Sequence, residues 1–197
     1  MDGETPLRVF LALAPPGEIL RRVGEIQDRM RGLLRGDIGW VKPEGIHLTL
    51  KFFGDILPGD VARIAALVGE AAARQRSLRL SLGGTGVFPD PRRPRVLWLG
   101  LDGDVQPLLG FQQGLEGGLA GIGFSPQGRP FRPHLTLARI RSPRGLTGLA
   151  QALEPGGTGA AGRFVAAGVG LIRSELTPRG AIYTRLHDFP LAGMDGR

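Results

Sequence analysis

The tetrapeptide His-Leu-Thr-Leu occurs twice in this chain, at 47–50 and at 134–137, and accounts for two of its three histidines. On a β-strand, residues i and i+2 share a face. Each histidine therefore points the same way as its threonine, and the leucines point into a core. If the two strands face one another, a single cleft receives two imidazoles and two hydroxyls.

Such a set of side chains suits phosphodiester chemistry. Imidazole has an ordinary pKa of about 6.5 and can act as an acid or a base near neutral pH. One neutral histidine can take a proton from the attacking oxygen, while one protonated histidine gives a proton to the leaving oxygen. The hydroxyls of Thr49 and Thr136 can donate hydrogen bonds to non-bridging phosphate oxygens, where transition-state charge is held. The residues alone leave open which of His47 and His134 is the acid.

The two motifs belong to a longer repeat with an offset of 87 residues. An Arg-Val pair precedes each histidine by the same distance, and a proline stands four residues before each histidine. Farther on, "GTGVF" at 84–88 is similar to "GVGLI" at 168–172. The repeat predicts a duplicated gene and a pseudo-two-fold axis between the two histidine strands. We expect a single domain over 1–197, with repeats at about 7–90 and 94–190.

Apolar periodicity predicts a mixture of helices and strands around the motifs. Helices are expected from Pro15 and from Pro58, each following a strand, and a glycine-rich helix is expected in the second half. A short helix and a flexible loop, Gly156–Gly162, come before the closing strands. The predicted strands are 7–14, 46–52, 78–88, 95–101, 134–140, 163–176 and 180–191, and the predicted helices are 15–34, 58–75, 104–123 and 144–154.

Composition restricts the classes of protein that the chain can be. At 197 residues, with 42% hydrophobic and 22% charged residues, it can form a globular domain. The absence of cysteine excludes disulfides, thiol catalysis and cysteine zinc sites. No apolar run reaches the roughly 18 residues of a membrane span, and Asp2 and Glu4 make a poor signal peptide. We expect a monomer in the cytoplasm, without a membrane partner.

The net charge of +7 comes almost entirely from arginine, since Lys42 and Lys51 are the only lysines. Arginine forks match phosphate oxygens well, which favours a phosphate-bearing partner. Codon bias in a GC-rich genome explains the same composition equally well. Charge alone therefore does not establish a nucleic-acid ligand.

Zinc binding is the main chemical alternative for the paired histidines. Two histidines and one carboxylate could bind the metal, but no His-x-His, no HExxH and no acidic cluster accompanies the motifs. We therefore expect no metal and no cofactor. The third histidine, His187, has no threonine partner and is expected to be a surface or structural residue.

Five segments, two of which contain the paired motifs, together resemble a known family over almost the whole chain, from about residue 7 to residue 191. The sequence resembles the 2H phosphoesterases, and within them the bacterial and archaeal RNA 2′,3′-cyclic phosphodiesterases, also called 2′-5′ RNA ligases. The segments are "RVFLALAPP", "WVKPEGIHLTLKFFGD", "PRVLWLGL", "FRPHLTLARI" and "LIRSELTPRGAIYTRLHDFPL".

This resemblance implies a bilobal α+β fold with two antiparallel sheets, flanking helices and an active site in the cleft between the lobes. It also implies metal-independent hydrolysis of RNA 2′,3′-cyclic phosphate ends to 2′-phosphates, and reversible 2′-5′ ligation without ATP. In the family pattern His47 is the proton donor, His134 is the proton acceptor, and Thr49 and Thr136 bind the phosphate.

Other substrate contacts are less well defined by the sequence. Arg132 shares the face of His134 if the strand extends that far, whereas regular alternation points Arg139 away. Phe131 can stack on a base or pack in the core, and Tyr183 is a further candidate contact. Two alternatives stay open, namely an RNA-end-binding module without turnover and an enzyme acting on another cyclic or 2′-5′ linked nucleotide.

Overall fold

The computed structural model describes residues 5–154, 162–178 and 180–193. Within these ranges the chain forms nine strands, four α-helices and a short 3-10 helix at Pro43–Gly45. The strands are β1 (Leu7–Leu13), β2 (Ile38–Trp40), β3 (Leu48–Ile56), β4 (Leu78–Phe88), β5 (Val96–Gly103), β6 (His134–Ile140), β7 (Arg163–Ala166), β8 (Gly168–Thr177) and β9 (Gly180–Pro190). The helices are α1 (Gly17–Leu33), α2 (Asp60–Arg74), α3 (Val105–Gly121) and α4 (Leu149–Ala152).

The three long helices form where apolar residues recur every three or four positions. Each buries one stripe of side chains against the core. α1 follows two prolines that suit a helix start, and α3 runs for 17 residues despite its glycines. The buried apolar stripes consist of Ile19, Val23, Ile26 and Met30 in α1, of Ile64, Val68 and Ala72 in α2, and of Leu108, Phe111, Leu115 and Leu119 in α3.

Two predictions at the end of the chain differ from the structure. The single strand expected over 163–176 is two strands, because the chain leaves one sheet after Ala166 and enters the other at Gly168. The helix expected over 144–154 has only four residues. Apart from Gly162, the loop predicted at Gly156–Gly162 lies outside the described residues.

The nine strands form two antiparallel sheets that exchange strands between the halves of the chain. One sheet has the order β3-β1-β8-β9 and the other has the order β2-β6-β5-β4-β7. Strands β3, β1 and β8 of the first sheet correspond to β6, β5 and β4 of the second. Each sheet therefore takes the third of these strands from the other repeat. The exchange gives the duplicated, bilobal α+β fold that was predicted.

Helices cover the core faces of both sheets. α2 packs on β8 and β9 and contacts α3, whereas α1 contacts α4 and the 3-10 helix. The side chain of Gln27 in α1 bonds to the backbone of β6, which places α1 on the second sheet. Among the described residues, no helix is long and apolar enough to cross a membrane.

Candidate active site

The first His-x-Thr motif lies at the start of β3, which begins directly after His47, and the second lies at the start of β6. The two strands contact each other where the two sheets meet. Both leucines of each motif are fully buried in the core. The histidines and threonines are half-buried on the opposite face. The alternation therefore turns one imidazole and one hydroxyl from each half of the chain toward a common cleft.

Both imidazoles are oriented by the same backbone hydrogen bond. Nδ1 of His47 lies 2.8 Å from the carbonyl oxygen of Gly45, and Nδ1 of His134 lies 2.6 Å from that of Arg132. A carbonyl only accepts hydrogen bonds, so each Nδ1 carries the proton. In the neutral form Nε2 is then an acceptor, and it is the ring nitrogen left for a ligand. Each histidine is thus prepared to take or to give a proton at Nε2.

Burial makes both histidines easier to deprotonate. Desolvation lowers the pKa of His134 below its ordinary value of 6.5, against a raising effect of the Arg132 carbonyl. The pKa of His47 is lowered by desolvation and, to a smaller extent, by the charge of His134. The Gly45 carbonyl works in the opposite direction. The interaction between the two imidazoles means that protonating one opposes protonating the other.

Aromatic rings surround both histidines. The Phe10 ring stacks on His47 at 4.6 Å between centroids, and Tyr183 meets His47 edge-on at 5.5 Å. In the other half, Phe88 meets His134 edge-on at 5.0 Å and packs against Trp98 at 5.2 Å. These ring contacts restrict the orientation of each imidazole.

A β-bulge directly follows each His-x-Thr. Leu50 is the extra residue in β3, since Thr49 pairs with Ala12 and Lys51 with Leu11. Leu137 is its equivalent in β6 at the same offset of 87. A bulge shifts the alternation of faces by one residue. The side chains that follow each bulge therefore point to the face opposite to the one they would take in a regular strand. In β3 this applies to Lys51 and Phe52, because a second bulge follows at Phe53.

The bulge in β6 corrects the orientation predicted for Arg139. Ala138 and Ile140 are buried and Arg139 is exposed, so Arg139 lies on the face of His134 and Thr136. Regular alternation had pointed it away, and that prediction is wrong. The sequence could have indicated this orientation, because regular alternation places the charged Arg139 on the core face of the strand, where a charge is unfavourable.

Phe52 is the equivalent of Arg139 in β3, and sequence reasoning missed it as a site residue. It is 40% exposed, lies against Phe10 at 6.5 Å, and carries the guanidinium of Arg8 at 4.5 Å above its ring. It therefore shares the face of His47 and Thr49. Its residue type did not indicate which face of the strand it occupies, since a phenylalanine is compatible with either face.

The remaining candidates have different surroundings. Tyr183 is 41% exposed beside His47. Arg132 is exposed and precedes β6 rather than extending it, and only its carbonyl is seen to contact His134. Phe131 is half-buried against the hydrophobic core. His187 is exposed and stacks on Phe189, which confirms a surface position.

Glycine at position 86 makes room for Trp98, whose ring packs on Phe88, and Phe88 in turn contacts His134. Gly86 in β4 pairs with Trp98 in β5, and a Cβ at position 86 would overlap the Trp98 indole. We expect Gly86→Ala to displace Trp98 and Phe88, to lower the free energy of unfolding by about 1–3 kcal/mol, and to reduce turnover. Urea denaturation and the hydrolysis rate measure the two effects.

Gly84→Ala is the matched control for that substitution on the same strand. In the described part of the chain, no heavy atom lies within 4 Å of a Cβ built at Gly84. Its unfolding free energy should stay within about 0.5 kcal/mol of the unmodified protein. Equal effects of the two substitutions would show that the Trp98 ring does not need this space.

Within residues 5–154, 162–178 and 180–193, no three His, Asp or Glu side chains are grouped so that they could hold a metal ion. The described site presents two imidazoles and two hydroxyls, and Arg139 lies farther along the same face of β6. These groups can transfer protons and bind an anion.

A duplicated α+β fold with one His-x-Thr strand in each half is the arrangement expected of the two-histidine phosphoesterases. A family model described as LigT like phosphoesterase matches residues 13–98 and again residues 99–183, so the chain belongs to this family. The resemblance drawn from the paired motifs is confirmed.

Relatives match over nearly the whole chain. The RNA 2′,3′-cyclic phosphodiesterase of Methanothermobacter thermautotrophicus is 36% identical over 185 residues, which cover 94% of this chain and 99% of that protein. A crystal structure from Thermus thermophilus has a TM-score of 0.78 and 30% identity, covering 95% and 99% of the two chains. The structure of E. coli LigT complexed with 3′-AMP has a TM-score of 0.76 and 26% identity, covering 94% and 98%.

Proposed function

We propose that the protein hydrolyses RNA 2′,3′-cyclic phosphate ends to 2′-phosphomonoesters by metal-independent acid–base catalysis. The observation that carries the proposal is the pair of identically oriented histidines, each with Nδ1 bonded to the carbonyl two residues earlier. Hydrolysis of a phosphodiester needs one proton removed and one proton delivered. Two Nε2 atoms in a shared cleft supply both functions.

The reaction balances with these two histidines alone. Neutral His134 accepts a proton at Nε2 from a water molecule as the water oxygen bonds to phosphorus. The bond between phosphorus and the 3′ oxygen breaks, and protonated His47 gives its Nε2 proton to that oxygen. The products are a 2′-phosphate and a 3′-hydroxyl. A 5′-hydroxyl in place of water, deprotonated by His134 while His47 protonates the leaving 3′ oxygen, gives a 2′-5′ linkage without ATP. In the reverse reaction, which returns that linkage to the cyclic phosphate and a 5′-hydroxyl, the two histidines exchange roles.

The threonines and Arg139 are proposed to hold the phosphate. Thr49 and Thr136 donate hydrogen bonds to its non-bridging oxygens, where these bonds strengthen as charge develops. Arg139 adds a guanidinium, which binds phosphate oxygens in a fork geometry. Arg132, which is exposed near the cleft, is assigned to the RNA backbone beyond the reacting group.

Aromatic side chains at the cleft are proposed to bind the terminal base. Tyr183 is an exposed ring edge-on to His47, and Phe52 is an exposed ring beside Phe10, which stacks on His47. Exposed rings bind bases of any sequence by stacking. Phe131 is left as a secondary candidate, because it packs against the core. The 3′-AMP complex of E. coli LigT supports a nucleotide ligand for this fold.

Product analysis tests the proposal. The protein is incubated, in excess EDTA, with an oligonucleotide that ends in a 2′,3′-cyclic phosphate. The expected product is a 2′-phosphate, formed at an unchanged rate in the chelator. A 3′-phosphate product or loss of activity in EDTA would contradict the mechanism. Tight binding of the RNA end without product would instead indicate a binding module, and a parallel set of cyclic and 2′-5′ linked nucleotides identifies any preferred alternative substrate.

The lowered histidine pKa values predict an acid-shifted pH profile. The maximum of kcat/KM lies midway between the two pKa values of the unliganded enzyme. Since burial lowers the pKa of both His47 and His134 from 6.5, this maximum is expected below pH 6.5. A bound phosphodiester anion raises both pKa values, so kcat should peak at a higher pH than kcat/KM. Coincident maxima at or above pH 7 would be incompatible with two desolvated imidazoles.

For the physiological setting we propose a monomer that acts in the cytoplasm on RNA fragments with cyclic phosphate ends. Analytical ultracentrifugation tests the oligomeric state. A stable dimer would replace the monomer in this proposal without changing the chemistry of the cleft.

A further inference from the structure

Two glutamine side chains are buried in the otherwise apolar inner faces of α1 and α3. Gln27 is 0% exposed and Gln112 is 6% exposed. A buried amide is unfavourable unless its polar atoms are hydrogen-bonded. The hydrogen-bond partners of these two amides therefore indicate which part of the structure the two glutamines stabilise.

Both amides donate to the backbone of a bulged leucine. Nε2 of Gln27 lies 2.9 Å from the carbonyl oxygen of Leu137, and Nε2 of Gln112 lies 3.2 Å from that of Leu50. Each helix belongs to one repeat and each leucine to the other. The same contact thus occurs twice, reciprocally, across the pseudo-two-fold axis.

Each amide has one further contact. Gln27 Nε2 also donates to the carbonyl of Val41 at 2.7 Å, and Gln112 Nε2 to Glu116 Oε1 at 3.2 Å. The Val41 N–H donates to the Leu137 carbonyl as well, at 3.0 Å. Gln27 therefore joins the bulge in β6 to the segment that leads into His47.

The hydrogen bonds of the Gln27 amide are made by its nitrogen and not by its oxygen. Its Oε1 is buried without a hydrogen-bond partner among the described residues, while Nε2 makes both contacts. A residue kept only to fill space would not need a polar group there. The pattern indicates that Gln27 is required for its donors.

We propose that Gln27 and Gln112 are positioning residues that hold the two β-bulges and so keep Arg139 and Phe52 on the cleft face. The extra residue of a bulge interrupts the ladder of hydrogen bonds, and a donor from the helix layer stabilises its carbonyl. Without the bulge, regular alternation turns Arg139 toward the core. The inference rests on the proposed function for its main readout, hydrolysis of the cyclic phosphate.

Gln27→Met tests the first half of the inference, because methionine has a similar volume and no donor. We expect kcat/KM to fall roughly tenfold to a hundredfold, as for a misplaced binding group, with the loss mainly in KM. Arg139→Ala should show a comparable loss. In the double variant Gln27→Met/Arg139→Ala, the effect of the glutamine substitution should disappear, since Arg139 is no longer there to be positioned.

Gln113→Met is the matched control, because Gln113 is the exposed neighbour of Gln112 on α3. It should leave kcat/KM and the unfolding midpoint unchanged. Additive losses from Gln27→Met and Arg139→Ala would mean that Gln27 contributes only general stability, and would overturn the inference. If Gln27→Met fails to fold, the cycle of Gln112→Met with Phe52→Ala decides by the same criterion.

A binding readout separates this inference from the proposed function. The same cycles are measured as the Kd of 2′-AMP by isothermal titration calorimetry, which does not depend on turnover. An unmodified protein that leaves cyclic ends intact would refute the proposed function alone. Additivity in the Kd values would refute the positioning role alone.

Discussion

Alanine in place of His134 is expected to lower kcat for the cyclic phosphate by about 10²–10⁴-fold, the usual contribution of a positioned general base. In the proposed mechanism water then has no proton acceptor at the correct distance, while the proposed phosphate contacts of Thr49 and Thr136 are unchanged. We therefore expect KM to change much less than kcat. Steady-state hydrolysis of a cyclic-phosphate-ended oligonucleotide measures both constants.

His187→Ala is the control for this substitution, because His187 is exposed and stacks on Phe189 rather than lying at the cleft. Its kcat should equal that of the unmodified protein. A His134→Ala variant that retains more than a tenth of the activity would contradict the role of His134 as the base.

Replacement of Lys51 by methionine is expected to have the largest effect on stability. The Lys51 ammonium lies 2.7 Å from Glu116 Oε2 and 2.6 Å from the carbonyl of Ser125. The two charged side chains are only 3% and 14% exposed. Removing one partner leaves an uncompensated buried carboxylate, which typically costs about 3–5 kcal/mol. Urea denaturation followed by circular dichroism should show a correspondingly lower midpoint.

Two further variants test whether the charge pair causes this loss. In Lys51→Met/Glu116→Gln the unpaired charge is removed, and part of the stability should return. Arg74→Met breaks an exposed pair with Glu70 on α2 and should cost less than about 1 kcal/mol. Equal midpoints for Lys51→Met and Arg74→Met would show that burial does not strengthen the Lys51 pair.

The features of the site that recur locally along the chain could be predicted from the sequence. The duplicated His-x-Thr, its leucines and the upstream strand indicate one buried and one polar face without knowledge of tertiary structure. The apolar spacing of α1 and α2 similarly predicts two helices with one core face. In each case the relevant physics acts between residues a few positions apart.

The strand exchange between the sheets could not be predicted in the same way. β4 and β8 have similar sequences, but nothing within either segment specifies that it crosses to the sheet of the other repeat. That choice depends on the long-range packing of α2 and α3 against the completed sheets. The ring contacts of Tyr183 with His47 and of Phe88 with His134 follow from this exchange.

The bulges illustrate a second limit of sequence reasoning. A one-residue insertion in the ladder inverts the faces beyond it, and Arg139 was therefore assigned to the wrong side. The stabilising donors come from Gln27 and Gln112, which are 110 and 62 residues from the leucines they contact. Only the assembled helix layer brings these groups together.

The division of roles between the two histidines is the central claim, and it can be tested with a sulfur leaving group. A 2′,3′-cyclic phosphate with sulfur at the 3′ position releases a thiolate, which needs no proton from a general acid. His47→Ala should therefore be strongly impaired on the oxygen substrate and recover most of its rate on the sulfur substrate. His134→Ala should be impaired on both. Recovery of His134→Ala instead of His47→Ala would reverse the assignment. If neither variant recovers on the sulfur substrate, the result would contradict a general acid in this cleft.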